Sequence, residues 1–348
     1  MKNRVTKIMM LLTAAIFFTA GCSNSPDDAF DRSPPPPLMG YNGDFPVKIM
    51  GMVEVSGGSF ELGKALGKGI RLSDGTYGPG ADDTVVSTVT LTGFHIGKYQ
   101  ITQWQWQEVM TGNTNGINPN PSYFHGGRGR EPFAGENQSK RPVENVSWYE
   151  AIVFCNRLSI IEDLDPAYSI KGSTDPDDWG PVPGSRNTIW DDVEIVSEST
   201  GYRLPTEAQW EYAAKGGSNN LNNHPGFTYA GSDNPNDVAW YDGNSGNRTH
   251  AVGLFSTKPN ALGIYDMSGN VWEWCWDWWD SEYTEEAKTD PTGPSEPSSI
   301  AAHEGRVRRG GGCLDGTTSL RSINRNLYAP NYPFPRNGLR VVLPVVLP

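Results

Sequence analysis

The stretch Leu262 to Trp279, LGIYDMSGNVWEWCWDWW, constrains the fold more than any other. It holds five of the chain's 12 tryptophans. Trp272, Trp274, Trp276 and Trp278 fall on alternate positions, the period of a strand, so their indoles belong to one sheet face. Glu273, Cys275 and Asp277 fall on the other. Upstream, Asp266, Gly269 and Asn270 interrupt the apolar run and read as a turn. Oxygen-bearing residues feeding an aromatic strand suggest a rigid core with a cation site at its edge. The plainer alternative is a tryptophan core beside a solvated acidic turn.

Composition narrows the fold class. Apolar residues make up 36% of 348, against 40 Gly and 27 Pro. Helical bundles and parallel α/β sheets need long aliphatic runs, so a loop-rich α+β or β domain fits better. A net charge of −12 argues against nucleic acid as a partner. The four cysteines form no CxxC pair, which argues against a zinc cluster or a dense disulfide framework.

Residues 1–22 read as a signal peptide: Lys2, Arg4 and Lys7 precede an apolar run, Ile8 to Ala20, too short to span a membrane. The segment Thr19-Ala20-Gly21-Cys22 resembles a bacterial lipobox, with Thr19 where Leu is usual. The resemblance implies cleavage before Cys22 and its acylation. Residues 23–45, with Pro34 to Pro37, read as a disordered tether. Residues 46–348 show no further linker and read as one domain.

Along that domain, Met52 to Leu62 alternates and breaks at Gly57-Gly58, which predicts a hairpin. Val85 to Thr92 and Phe94 to Tyr99 read as strands. Thr102 with Gln105, Ser147 with Glu150 and Thr206 with Gln209 form capping boxes that open helices over 102–110, 147–160 and 206–215. Thr111 to Pro142 and Asp280 to Pro297 read as polar loops, and Glu162 to Ser199 as an insertion or a minor hairpin.

Several motifs then match one family: MVEVSGGSFELG (52–63), FHIGKYQITQWQWQEVM (94–110), RPVENVSWYEAIVFCNRLS (141–159), GYRLPTEAQWEYAAKGG (201–217), the tryptophan stretch, RVRRGGG (306–312) and NGLRVV (337–342). Together they resemble the formylglycine-generating-enzyme, or sulfatase-modifying-factor, domain. The resemblance implies an α+β, C-type-lectin-like fold of that type, loop-rich, with short twisted antiparallel sheets and two main helices.

The enzyme of this family uses two thiols and copper, since soft sulfur ligands hold Cu(I). The resemblance puts Asp315 in the place of the first thiol and Leu320 in that of the second. Cys313 alone cannot form a two-thiolate site, so the reading is no catalytic residue, no copper and no enzyme. Cys155, with Val341 where some relatives carry its disulfide partner, is expected to be free. The family's calcium site carries over as the Asp266 side chain, the Gly269 and Val271 carbonyls and the Glu273 carboxylate, an oxygen set suited to structural Ca²⁺. A second family site would fall near Asp237, Val238, Asn244 and Gly246.

Residues 306–348 hold seven arginines, no lysine and one acid, Asp315. Between the framework motifs lie Cys313, Leu314, Asp315, Gly316, Ser319, Ile323, Leu327, Tyr332, Pro333 and Phe334, which fit the family pattern poorly and suggest a contact surface. The alternative is a packed terminal hairpin whose arginines pair with the acidic 280–297 loop. The chain also resembles the variable proteins of diversity-generating retroelements, whose final segment is rewritten at adenine-rich codons. The residue types just named all belong to the set such codons yield. The expectation is a surface-displayed, lipid-anchored protein of the bacterial outer membrane, binding a protein or surface ligand through residues 313–336. The anchor would be its sole membrane contact. The competing readings are an enzyme of this fold with altered chemistry and a fixed adhesin or complex subunit.

Overall fold

The computed structural model describes residues 51–63, 70–71, 77–78, 87–126, 129–217, 226–254, 256–280, 283, 285–297 and 304–345. The signal peptide, Cys22 and the tether lie outside them. Among the described residues no helix is long and apolar enough to cross a membrane.

The tryptophan strand, Trp272–Trp278, lies inside a four-stranded sheet. It pairs antiparallel with Arg306–Arg309 and parallel with Asn337–Gly338, and Arg325–Tyr328 forms the outer edge beside Arg306–Arg309. Trp274 and Trp276 pack with Trp148 and Phe154 of the helix Trp148–Ile161. Trp148 Nε1 donates to the Cys275 carbonyl at 2.8 Å. Cys275 faces the other way and packs with Trp210 and Tyr212 of the helix Glu207–Ala214. The alternation read from the sequence therefore holds. The solvated acidic turn does not: Asp266, Gly269 and Asn270 are buried, as are all seven strand residues. Glu273 accepts from Trp210 Nε1 at 2.7 Å, and Asp277 accepts from the Glu207 amide at 2.7 Å. Such donors offset part of the cost of dehydrating carboxylates.

Thr102, Ser147 and Thr206 each close a reciprocal capping box with the Gln or Glu three residues on. The third helix ends where Gly216 turns left-handed (φ 89°), a conformation open to glycine.

The expected hairpin over 52–62 is corrected. Met52–Val55 pairs with Phe94–Gly97, while Gly58–Leu62 pairs with Ser87–Leu91. The two segments form one long antiparallel ribbon that bends between sheets, with Gly57 at the bend. A Cβ on Gly57 would lie 2.6 Å from the Leu91 carbonyl oxygen. The glycine thus allows a close backbone approach between strands, where a turn was expected. The chain's end, Val342–Pro344, adds a third strand beside Phe94–Gly97.

The expected short antiparallel sheets are present, in the pairings of Met52–Val55, Gly58–Leu62 and Arg306–Arg309 among others. Three short pairings are parallel: Asn337–Gly338 with the tryptophan strand, Lys288–Thr289 with Ser87–Leu91, and Ser268–Gly269 with Ala239–Trp240. Glu162 to Ser199 contains the expected minor ladder, Tyr168–Ser169 with Glu194–Ile195. The architecture is mixed α+β, with short sheets and few helices.

Candidate functional site

The turn before the tryptophan strand is built for close approach. Asp266, Gly269 and Asn270 all have left-handed φ, at 58°, 84° and 65°. A Cβ on Gly269 would lie 2.3 Å from the Trp240 carbonyl oxygen. The carbonyls of Asp266, Gly269 and Val271 and Glu273 Oε1 converge on one atom, Gln100 Nε2, at 3.1, 3.3, 3.0 and 3.0 Å. One amide nitrogen carries two hydrogens and cannot satisfy four acceptors. Gln100 Oε1 and Asp266 Oδ1 are buried without a hydrogen-bond partner. Asp266 Oδ2 accepts from the Gly253 amide at 2.8 Å. Burial pushes the Asp266 carboxyl up to about 6. An excess of buried oxygen acceptors over donors is chemistry that a hard cation would satisfy, so these residues fit calcium. Arg340 holds Glu273 from the other side, through Nε to Oε2 at 3.0 Å and Nη2 to Oε1 at 2.9 Å. Sequence reasoning missed Gln100, which lies 173 positions from Glu273.

The second region named from the family does not gather a ligand set among the contacts described. Asp237 binds Ser232 and Lys258. Asn244 instead caps its own turn, accepting from the Tyr241 amide and donating to the Ala239 carbonyl.

The C-terminal contact residues divide in two. Leu314 (37% exposed) and Tyr332 (54%) stand out to solvent. Gly316 and Pro333 are exposed, and Asp315, Ser319, Leu327 and Phe334 are half-buried. Cys313 (0%) and Ile323 (3%) are core residues and offer no side-chain surface, which corrects their assignment. Apolar character alone does not separate a contact residue from a core residue.

The exposed residues rest on a ladder of rings and guanidinium groups. The Arg308 guanidinium lies 4.7 Å from the Trp272 ring, 4.8 Å from Tyr328 and 5.5 Å from Phe334. Tyr328 packs on Phe334 and Tyr332, and Arg336 covers Phe334 at 4.9 Å. Asp315 receives three donors: Trp272 Nε1 at 2.8 Å, the Gly312 amide at 2.9 Å and Arg336 Nη1 at 3.0 Å.

Among the described residues the ion pairs of the C-terminal arginines run to carboxylates outside the 280–297 loop, and Arg325 Nη1 also donates to the Asp280 carbonyl at 2.9 Å. Arg309 pairs with Glu207 and Glu211, Arg325 with Glu207, Arg336 with Asp315 and Arg340 with Glu273.

A neighbouring loop adds residues that sequence reasoning left in an undifferentiated polar segment. Tyr123 is 39% exposed with Arg130 stacked 3.5 Å from its ring, and Phe133 is 49% exposed with Arg248 5.2 Å away. Asn145 ties this loop to the C-terminal face, donating Nδ2 to the Pro121 carbonyl and its amide to the Phe334 carbonyl. Ser245 Oγ donates to the Cys313 carbonyl at 2.7 Å, beside Gly246 against the Phe133 ring. The signal available was the isolated aromatics Tyr123 and Phe133 in a Gly/Pro-rich run.

Asp315, with the three donors above, stands where the resemblance would put the first thiol. Leu320, at the second thiol place, is fully buried against Val238 and Ala239. Cys313 is a free, buried thiol, and burial pushes it well above its ordinary range. Cys155 and Cys275 are likewise free, buried and shifted upward.

Comparison with known proteins places this geometry in a family. The sulfatase-modifying factor enzyme 1-like domain matches residues 41–345. "Chaperone protein LppX" of Paenibacillus barcinonensis is 39% identical over 270 residues, covering 73% of this chain and 81% of that protein. "Formylglycine-generating enzyme" of Streptomyces coelicolor is 27% identical over 297 residues, covering 77% of this chain and 80% of that protein. Among solved structures, "Treponema denticola variable protein 1" is 34% identical with a TM-score of 0.67, covering 84% of this chain and 94% of that one. The chain belongs to the sulfatase-modifying factor enzyme 1-like domain family.

Proposed function

We propose that this protein is a non-catalytic binding protein, lipid-anchored at Cys22 and displayed on the bacterial outer membrane, that takes a protein or surface ligand on its C-terminal face. The observation that carries this reading is the fate of the two thiol places. Asp315 is held by three donors and Leu320 is sealed in the core, while Leu314, Tyr332, Tyr123 and Phe133 remain exposed around them. Half-buried rings stacked with arginines provide rigid contact area at low entropic cost, as interface anchors do. The likeness to a variable protein at 34% identity supports a segment, 313–336, diversified by a retroelement.

Calcium, where bound, would be held by the Asp266 side chain, the Gly269 and Val271 carbonyls and Glu273, and would brace the turn that carries the tryptophan strand. It supplies structure and no chemistry to the face.

The 39% identity to a protein named as a chaperone favours a second reading, in which the ligand is an exported polypeptide. Both readings use the same surface.

The test is incubation of the purified, copper-supplied protein with a sulfatase peptide. Mass spectrometry is expected to find the peptide cysteine unchanged; formylglycine would overturn the reading. In the genome, a near-copy of the codons for 313–336, rich in adenine and beside a reverse transcriptase gene, is expected. Its absence would leave a fixed adhesin or chaperone.

A further inference from the structure

A second concave site lies away from the contact face, under the loop that follows the tryptophan strand. The cavity has a volume of about 230 Å³. That exceeds the roughly 150 Å³ that houses a benzene ring. Leu62, Val89, Trp278 and Tyr283 supply apolar walls, and Asp280 and Lys288 are exposed residues of its lining.

Two buried carboxylates line it and differ in one respect. Glu207 is fully engaged: Arg325 grips it through Nε at 2.6 Å and Nη2 at 2.7 Å, and the Tyr283 hydroxyl donates at 3.1 Å. Asp277 is 5% exposed, and its Oδ2 accepts from the Glu207 amide at 2.7 Å. Among the described residues no cation is ion-paired with Asp277. Arg325 is already committed to Glu207, and Arg203 and Arg306 act on Asp277 through their charge without an ion pair. A carboxylate buried without a cation is costly unless something supplies the charge. Burial accordingly pushes Asp277 up to about 7.

We propose that this cavity binds a small organic ammonium, its charged nitrogen on Asp277 and its alkyl portion against Trp278, Tyr283, Leu62 and Val89. The chemistry is shared by a free alkylamine and by a lysine side chain presented by another molecule. This site is independent of the contact face.

The experiment is titration of the folded protein with n-butylammonium, followed by saturation-transfer NMR. Saturable binding is expected, weaker by about tenfold or more for isosteric 1-butanol, the worth of one charge-assisted hydrogen bond. Asp277→Asn, which can still accept from the Glu207 amide, is expected to lose binding by a similar factor. Ala208→Leu, which fills the cavity and keeps the carboxylate, is expected to abolish binding with folding checked by circular dichroism. Tyr332→Ala, on the contact face, is expected to leave it unchanged. Acetyl-lysine-methylamide binding as tightly as butylammonium would assign the site to a presented side chain, and weaker binding would assign it to a free amine. No saturable binding of either cation, or equal binding by 1-butanol, would overturn the proposal. So would undiminished binding in a folded Asp277→Asn variant.

Discussion

Two arginine–carboxylate pairs anchored at neighbouring residues of the tryptophan strand make an instructive contrast. Arg340 and Glu273 are both 0% exposed, and Arg340 also donates to the Gly97 and Tyr265 carbonyls. Arg336 and Asp315 remain 27% and 20% exposed. The first pair stitches the segment before the terminal strand to the Asp266 turn and the tryptophan strand. The second lies on the rim of the contact face, where water screens it. The same chemistry therefore serves the scaffold in one place and the surface in the other, and burial decides which. The buried pair belongs to the scaffold, and the partly exposed pair to its surface.

Breaking the buried pair has the largest expected effect. Arg340→Met leaves Glu273 charged and unpaired, and the loss is expected to be about 3–5 kcal/mol in denaturant unfolding. A loss below about 1 kcal/mol would show the pair to be unimportant. Calcium comes next. At a free concentration one hundred times Kd, its removal is expected to cost about 2.7 kcal/mol, read as a lower Tm on chelation. An unchanged melt would argue that Gln100 alone fills the turn.

The third prediction concerns Asp277. Its folded-state value of about 7 lies above its ordinary 3.8. Between those values the folded protein holds a proton that the unfolded chain has released. Its contribution to stability therefore falls as pH rises from about 4 to 7, with a slope of at most about 1.4 kcal/mol per pH unit. Asp277→Asn is expected to flatten that part of the stability–pH curve; an unchanged slope would assign the dependence to another group. The smallest effect belongs to the rim. Arg336→Ala is expected to cost about 0.2–1 kcal/mol of stability, measured by the same denaturant unfolding.

Much of the scaffold was legible because its signals are local. Ser147 and Glu150 announce a helix start by type and spacing, and the alternating tryptophans announce a strand whose faces the structure separates as read. Partners across the chain were not legible. Met52–Val55 and Gly58–Leu62 carry the strand period, but nothing in them says that each pairs with a segment near residue 90 in place of the other. Gln100 reads as an ordinary polar residue until the fold carries it to the Asp266 turn. On the C-terminal face the residues that depart from the family pattern could be named from the sequence, but their exposure could not. Leu314 and Ile323 look alike in sequence, yet one stands in solvent and the other packs inside. Tyr123 and Phe133 were overlooked because their loop has no period to mark a face.

The central claim is that the face is dispensable to the fold that presents it. Thermal unfolding of the triple variant Leu314→Ser, Gly316→Ser, Tyr332→Asn tests it most directly. The account predicts a Tm within about 4 °C of the parent, corresponding to roughly 1 kcal/mol in a domain of this size. A fall of about 10 °C or more would contradict it, because these side chains would then belong to the structure they are said to decorate.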